Sequence, residues 1–261
     1  MKKFDEMVKI VAKLRQECPW DQAQTFETLK PFLVEEVYEA IQAIDDKDKD
    51  KLAEELGDML LHVVMLAIII NENTKHSMKS IIEGITKKMV RRHPHVFGRK
   101  KLKTAEDVLA KWEKSKLKEI KDKAIKHKGI LASIPRSLPA LYRAEKVQKR
   151  AARVGFDWDK VAGAWEKVHE EMDEIKSEIL NPKSETISKS KNRKIKEEIG
   201  DLLFAVANVA RKLDIHAEEA LQDANSKFMR RFSKIEKKLG KKKMTLAQMD
   251  ALWDKVKSAE R

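Results

Sequence analysis

The fold of this chain is organised by a pair of acidic stretches, EEMDE at residues 170–174 and EEIGD at residues 197–201. Residues three apart on an α-helix share a face, so Glu171 pairs with Glu174, and Glu198 pairs with Asp201. If the two helices pack antiparallel, four negative charges meet at short range. Such a cluster must take up protons or a cation, and carboxylate oxygens favour Mg²⁺ or Mn²⁺.

The same arrangement occurs earlier in the chain, with EEVYE at residues 35–39 and EELGD at residues 54–58. Each second stretch runs into an apolar segment, 59–70 in the first half and 202–207 in the second. The acids are therefore expected at the edge of a core in each half. A solvated acidic face paired with lysines would explain one copy, but it explains two copies poorly.

The composition predicts an all-α protein. Of the 261 residues, 38% are charged and 6% are aromatic, and there are only 8 glycines and 6 prolines. Such a sequence is rich in helix formers and poor in residues that favour turns and strands. The length allows one large domain or two modest ones.

The chain carries no sign of secretion or of membrane insertion. Cys18 is the single cysteine, which excludes an intrachain disulfide, and the start MKKFDEMVKI has no apolar signal segment. A cytoplasmic location is therefore expected. The apolar segment 59–70 is shorter than the ~20 residues that span a bilayer, and it indicates a buried helix or a subunit interface.

A net charge of +13 makes nucleic acid a conceivable partner, since lysine and arginine replace the counterions around phosphates. Much of this charge lies in short lysine-rich connections such as 189–194 and 241–243. Solvated surface explains these runs more simply, so nucleic-acid binding is not expected.

Two tandem domains follow from the order of the repeated features. A Trp-Asp turn, at Trp20 and at Trp158, precedes each acidic pair, and a basic stretch follows it, KMVRR at 88–92 and KFMRR at 227–231. Between the copies the stretch at 119–128, EIKDKAIKHK, is rich in lysine and is followed by Gly129. We therefore predict a first domain over 1–120, a linker over 121–134 and a second domain over 135–261.

These residues, in this order and in duplicate, resemble the MazG family of nucleoside triphosphate pyrophosphohydrolases, whose signature is E-E-x-x-E followed by E-x-x-D. The resemblance covers nearly the whole chain. It implies an all-α fold of two tandem helical bundles, completed by dimerisation, which binds Mg²⁺ or Mn²⁺. It also implies cleavage of a nucleoside triphosphate between the α- and β-phosphates, which releases a nucleoside monophosphate and pyrophosphate.

The resemblance also implies roles for particular residues. The metal ligands would be Glu171, Glu174, Glu198 and Asp201 in the second half, and Glu36, Glu39, Glu55 and Asp58 in the first half. Phosphate would be bound by Lys194, Lys227, Arg230 and Arg231, with Lys116 and Trp253 as further substrate contacts. In relatives with two copies the second usually carries the activity, so most turnover is expected there.

The chemistry of the residues agrees with this assignment. A cation held by acids and flanked by lysine and arginine would attract a triphosphate, which acids alone would repel. Glu170 could accept a proton from the attacking water. The tryptophans could stack on a base, although packing is the simpler role, and His62 is expected to be a core histidine with a hydrogen-bond partner.

Two other functions fit parts of the sequence. A non-catalytic basic helical protein would bind polynucleotides or a protein partner and would use its acids only for structure. An ordinary phosphatase would release a diphosphate and inorganic phosphate. Neither the base nor the sugar of the substrate follows from these motifs.

Overall fold

The computed structural model describes residues 2–98, 104, 107–108, 111, 115, 129–180, 189–239 and 244–260. Within these ranges the regular structure is entirely α-helical, as the composition predicts. The chain divides by its contacts into two units, Met1–Glu113 and Lys114–Arg261. None of the described helices is long and apolar enough to cross a bilayer.

The first unit is built from six helices in its described part. They are α1 (Lys2–Glu17), α2 (Pro19–Gln22), α3 (Phe26–Asp45), α4 (Lys49–Asn73), α5 (Met78–Arg92) and α6 (Pro94–Phe97). The main pair is α3 and α4, which pack along each other, and α1 packs on α4. Their core is a cluster of buried side chains, namely Val11, Leu29, Val64, Met65 and Ile69.

Capping side chains and a tight turn define where α3 and α4 begin and how they are connected. Thr25 caps α3 by accepting a hydrogen bond from the backbone N–H of Thr28, as its position before the apolar repeat predicts. Asp48 caps α4 in the same way through the N–H groups of Asp50 and Lys51. Between the helices Lys47 adopts a left-handed backbone with φ 57°. The two acidic stretches are thereby brought side by side.

The second unit repeats this plan in its described residues. Its helices are α7 (Ala140–Ala152), α8 (Val161–Leu180), α9 (Lys189–Lys212), α10 (Ala217–Leu239) and α11 (Leu246–Ser258). The main pair is now α8 and α9, α7 packs on α9, and α11 packs on α10. The Trp-Asp turn between α7 and α8 is tied to α9, because Arg211 Nη2 donates to Asp157 at 2.6 Å.

The apolar segment 59–70 is buried mainly toward its far end, in agreement with the expectation of a buried helix there, and its first part is more exposed. Val64, Met65 and Ile69 are in the core, whereas Leu60 is 38% exposed and Val63 is 46% exposed. The segment has one face toward α1 and α3 and another face toward solvent. Its length alone could not reveal this difference.

Candidate active site

The acids of the second unit converge where α8 and α9 pack. Carboxylate oxygens of Glu171, Glu198 and Asp201 all lie within 4.8 Å of one another. Glu171 is 3% exposed. Glu174 is outside this trio, but its interaction with Glu198, together with burial and the charges of the neighbouring acids, raises the pKa of Glu198.

The first unit contains a matching cluster between α3 and α4. Oxygens of Glu36, Glu39 and Glu55 lie within 4.8 Å of one another. Asp58 is outside this trio, but its negative charge contributes to raising the pKa of Glu36, for which burial is the main cause. Lys51 contacts Glu55 and holds the pKa of that carboxyl below its ordinary value.

A hard divalent cation fits the donor set of both clusters. Every candidate ligand in them is a carboxylate oxygen. In the second cluster the neighbouring carboxylates repel one another, and this repulsion contributes to the raised pKa of Glu198. A cation of double charge would neutralise the same group without a proton, and Mg²⁺ and Mn²⁺ prefer such oxygen ligands.

A lysine that is not part of the sequence motifs lies beside the acids of the second unit. Lys167 lies one helical turn before Glu171 on α8, and its Nζ is 2.6 Å from Glu171 and 2.9 Å from Glu170. Hydrogen bonds to these two carboxylates raise the pKa of Lys167. Its i,i+4 spacing from Glu171 was the available signal, but that spacing is common in charged helices.

An open cavity of about 480 Å³ adjoins the second cluster. Glu171, Asp201 and Lys167 are among its lining residues. Most of its remaining wall is apolar or aromatic and includes Val147, Ala151, Phe156, Trp158 and Phe204. A cavity lined by both charged groups and aromatic rings can hold a ligand with a charged group and a flat, weakly polar ring system.

The equivalent positions in the first unit are filled differently. Counting from the acids, Phe32 corresponds to Lys167, and His62 corresponds to Ala205. Phe32 and His62 stack with ring centroids 5.8 Å apart, and His62 Nε2 lies 3.3 Å from Glu36 Oε1. The expectation of a core histidine with a partner is confirmed, since His62 is 9% exposed.

The basic residues named from the sequence lie on other helices. Lys194 on α9 is 3.6 Å from Glu178. On α10, Lys227 is exposed, and Arg230 and Arg231 contact Glu260 at 3.6 Å and 2.7 Å. In the part of the chain that the structure describes, none of these four residues forms an ion pair with the three clustered acids, so their role as phosphate contacts stays a prediction.

The two remaining candidates for substrate contact are Trp253 and Lys116, and the structure describes only the first of them. Trp253 on α11 packs on Phe228, with ring centroids 5.1 Å apart, and lies under the guanidinium of Arg231. Its stacking on a base therefore stays a prediction. Lys116 lies outside the described residues.

Comparison with known proteins agrees with this duplicated plan. The model of the MazG nucleotide pyrophosphohydrolase domain matches residues 24–97 and 161–235. The chain is 42% identical to a nucleoside triphosphate pyrophosphohydrolase of Escherichia coli (strain K12), covering 100% of this chain and 99% of that protein. It is 39% identical to a nucleoside triphosphate pyrophosphohydrolase/pyrophosphatase of Thermotoga maritima, covering 98% of this chain and 96% of that protein. Each match to the domain model contains one of the two acidic clusters, and the chain therefore belongs to the MazG family and carries its domain twice.

Proposed function

We propose that this protein is a cytoplasmic, divalent-cation-dependent nucleoside triphosphate pyrophosphohydrolase that uses Mg²⁺ or Mn²⁺. It cleaves the bond between the α- and β-phosphates and releases a nucleoside monophosphate and pyrophosphate. Two domains, 1–120 and 135–261, are joined by a linker over 121–134. The observation that carries the proposal is the convergence of Glu171, Glu198 and Asp201 beside an aromatic cavity.

In the second domain Glu171, Glu174, Glu198 and Asp201 would hold the cation. When bound, the cation polarises the attacked phosphoryl group and offsets its negative charge. Lys167 orients Glu171 through their ion pair and presents an ammonium group to the phosphates from the cavity wall. Glu170, which is also paired with Lys167, accepts the proton of the attacking water.

Turnover is assigned mainly to the second domain. Its acids border a cavity whose wall includes Ala205, a small side chain. At the equivalent place in the first domain the Phe32–His62 stack lies against Glu36. We propose that the first domain binds a cation through Glu36, Glu39, Glu55 and Asp58 and contributes little hydrolysis.

Product analysis tests the activity. Ribo- and deoxyribonucleoside triphosphates are incubated with and without Mg²⁺, and the products are separated by anion-exchange chromatography. The proposal predicts a nucleoside monophosphate and pyrophosphate in equal amounts, and no turnover when EDTA removes the cation. Release of a diphosphate and inorganic phosphate would indicate a phosphatase instead. Salt-sensitive binding of polynucleotides without any turnover would indicate the non-catalytic function.

We also propose that two copies of the chain form a dimer through the acidic helix pairs. In the first domain α3 and α4 expose several apolar side chains, namely Val34, Val37, Tyr38, Ile41, Leu56, Leu60 and Val63. In the second domain α8 and α9 expose Met172, Ile179, Ile199 and Leu203. Contiguous apolar surface of this kind is typical of an interface rather than of a free monomer.

Light scattering of Leu60→Arg tests the dimer. Leu60 is 38% exposed, so a charged side chain there is compatible with the fold but would be desolvated in a helix-to-helix interface. We expect the wild-type chain to have twice the mass of one chain, and Leu60→Arg to shift the mass toward that of a monomer. Val96→Arg is the matched control, because Val96 is 64% exposed and lies outside α3 and α4. A monomeric wild type would contradict the proposal.

A further inference from the structure

One buried polar side chain in the cavity of the second domain has no role in the proposed hydrolysis. Gln148 on α7 is 6% exposed and lines the cavity. Its Oε1 atom is buried and has no hydrogen-bond partner among the described residues. Buried carbonyl oxygens are nearly always hydrogen-bonded in folded proteins, so an orphaned one on a residue that lines a cavity requires a donor from outside the protein.

The orientation of this amide is fixed by its other end. Gln148 Nε2 donates to the backbone carbonyl oxygen of Phe204 at 2.7 Å. The atom facing that carbonyl must be the NH₂ group, because two carbonyl oxygens would repel each other. Rotation of the amide by 180° would break this bond, so the atom of Gln148 that is left without a partner is its acceptor, Oε1.

The position of Gln148 indicates which part of a ligand reaches it. Glu171, Asp201 and Lys167 line the charged part of the cavity, where the proposed function places the phosphates. Phe156, Trp158 and Phe204 supply flat apolar surface suited to a base. Gln148 lines the same cavity and is held against the backbone of Phe204, a residue of this second set, so the donor that it meets is placed on the base.

We infer that Gln148 Oε1 accepts a hydrogen bond from an N–H group on the Watson–Crick edge of the substrate base. This inference rests on the proposed function and concerns the substrates of the same site. Adenine and cytosine offer an amino group at that edge, whereas guanine, uracil and thymine offer a ring N–H. The site therefore accepts all common bases and rejects a base whose donor has been replaced by a methyl group.

Gln148 therefore favours substrates whose base keeps an N–H donor on its Watson–Crick edge. It does not distinguish one common base from another. A methyl group at the donor removes the hydrogen bond and leaves Gln148 Oε1 buried against an apolar group. A site built to hydrogen-bond a substrate group discriminates strongly against an analogue that lacks the group. Gln148 is thus a specificity-determining residue, separate from the acids and Lys167.

Matched uridine triphosphates test the inference. Hydrolysis of UTP, 3-methyl-UTP and 5-methyl-UTP is measured for the wild type and for Gln148→Leu, which keeps a side chain of similar size. The 5-methyl compound is the control substrate, because it adds a methyl group but keeps the ring N–H. For the wild type we expect kcat/KM for 3-methyl-UTP to be about 10²-fold lower than kcat/KM for UTP. The value for 5-methyl-UTP is expected to be similar to the value for UTP.

In Gln148→Leu the ratio of UTP to 3-methyl-UTP is expected to fall to a few-fold, mainly through a lower kcat/KM for UTP. A purely structural role for Gln148 would lower both rates and leave the ratio unchanged, which would overturn the inference. Equal hydrolysis of UTP and 3-methyl-UTP by the wild type would overturn it as well, whether or not the leucine variant folds. Absence of hydrolysis of every triphosphate by the wild type would instead refute the proposed function.

Discussion

Replacement of Glu174 by glutamine is expected to lower kcat/KM for triphosphate hydrolysis by about 10²- to 10³-fold, because a cation contributes several kcal/mol to the transition state. Glu174 is exposed and contributes to the raised pKa of Glu198, so it borders the acid cluster without supporting the core. Glutamine keeps the shape of the side chain and removes its charge. Steady-state kinetics at saturating Mg²⁺ measures the loss, and higher Mg²⁺ concentrations are expected to recover part of it.

The first domain supplies a matched control for this variant. Glu39 occupies the position of Glu174 in the signature and is also exposed. Glu39→Gln removes a charge from an equivalent cluster, where Lys51 lies 3.8 Å away. We expect it to change kcat/KM less than two-fold. If Glu39→Gln abolished hydrolysis and Glu174→Gln did not, the assignment of turnover to the second domain would be reversed.

Replacement of Lys167 by methionine is the second change with a large expected effect, a loss of about 10²-fold in kcat/KM. Lys167 makes close ion pairs with Glu171 and Glu170, which raise its pKa, so it stays protonated throughout the working pH range. Methionine keeps the length of the side chain but cannot orient Glu171 or approach a phosphate as a cation. Most of the loss is expected in kcat.

Lys149→Met separates this role from simple stabilisation. Lys149 makes the same i,i+4 contact to a buried carboxylate, with its Nζ 2.6 Å from Glu145 on α7. Both variants break one such pair, so thermal denaturation should show comparable losses of stability. Activity is expected to fall only in Lys167→Met. Equal kinetic losses in the two variants would mean that Lys167 acts through the fold alone.

The sequence could predict that acids converge in each half because helical periodicity is a local property, although Glu174 and Asp58 lie outside the two trios. Glu171, Glu198 and Asp201 needed only the three-residue spacing and an antiparallel helix pair to come together. The all-α class and the tandem MazG domains followed from the composition and from the duplicated motifs, and both are confirmed.

Contacts between distant parts of the chain could not be predicted in the same way. Gln148 reaches the cavity because α7 packs on α9, and nothing in the residues around it marks a buried amide. Glu260, near the end of the described chain, pairs with Arg231, which the motif alone would assign to phosphate. The mixed burial of segment 59–70 depends on how its two faces meet neighbouring helices. Each of these features is set by tertiary packing.

Binding of Mn²⁺ to the full-length protein tests the central claim most directly. Electron paramagnetic resonance counts the ions bound per chain in the presence of a triphosphate analogue with a methylene group between the α- and β-phosphorus atoms. The wild type is expected to bind Mn²⁺ tightly at the second acid cluster, and the double variant Glu198→Gln, Asp201→Asn is expected to lose those ions while it retains any bound by the first domain. An unchanged number and affinity of bound ions in a folded double variant would show that these acids do not hold the cation.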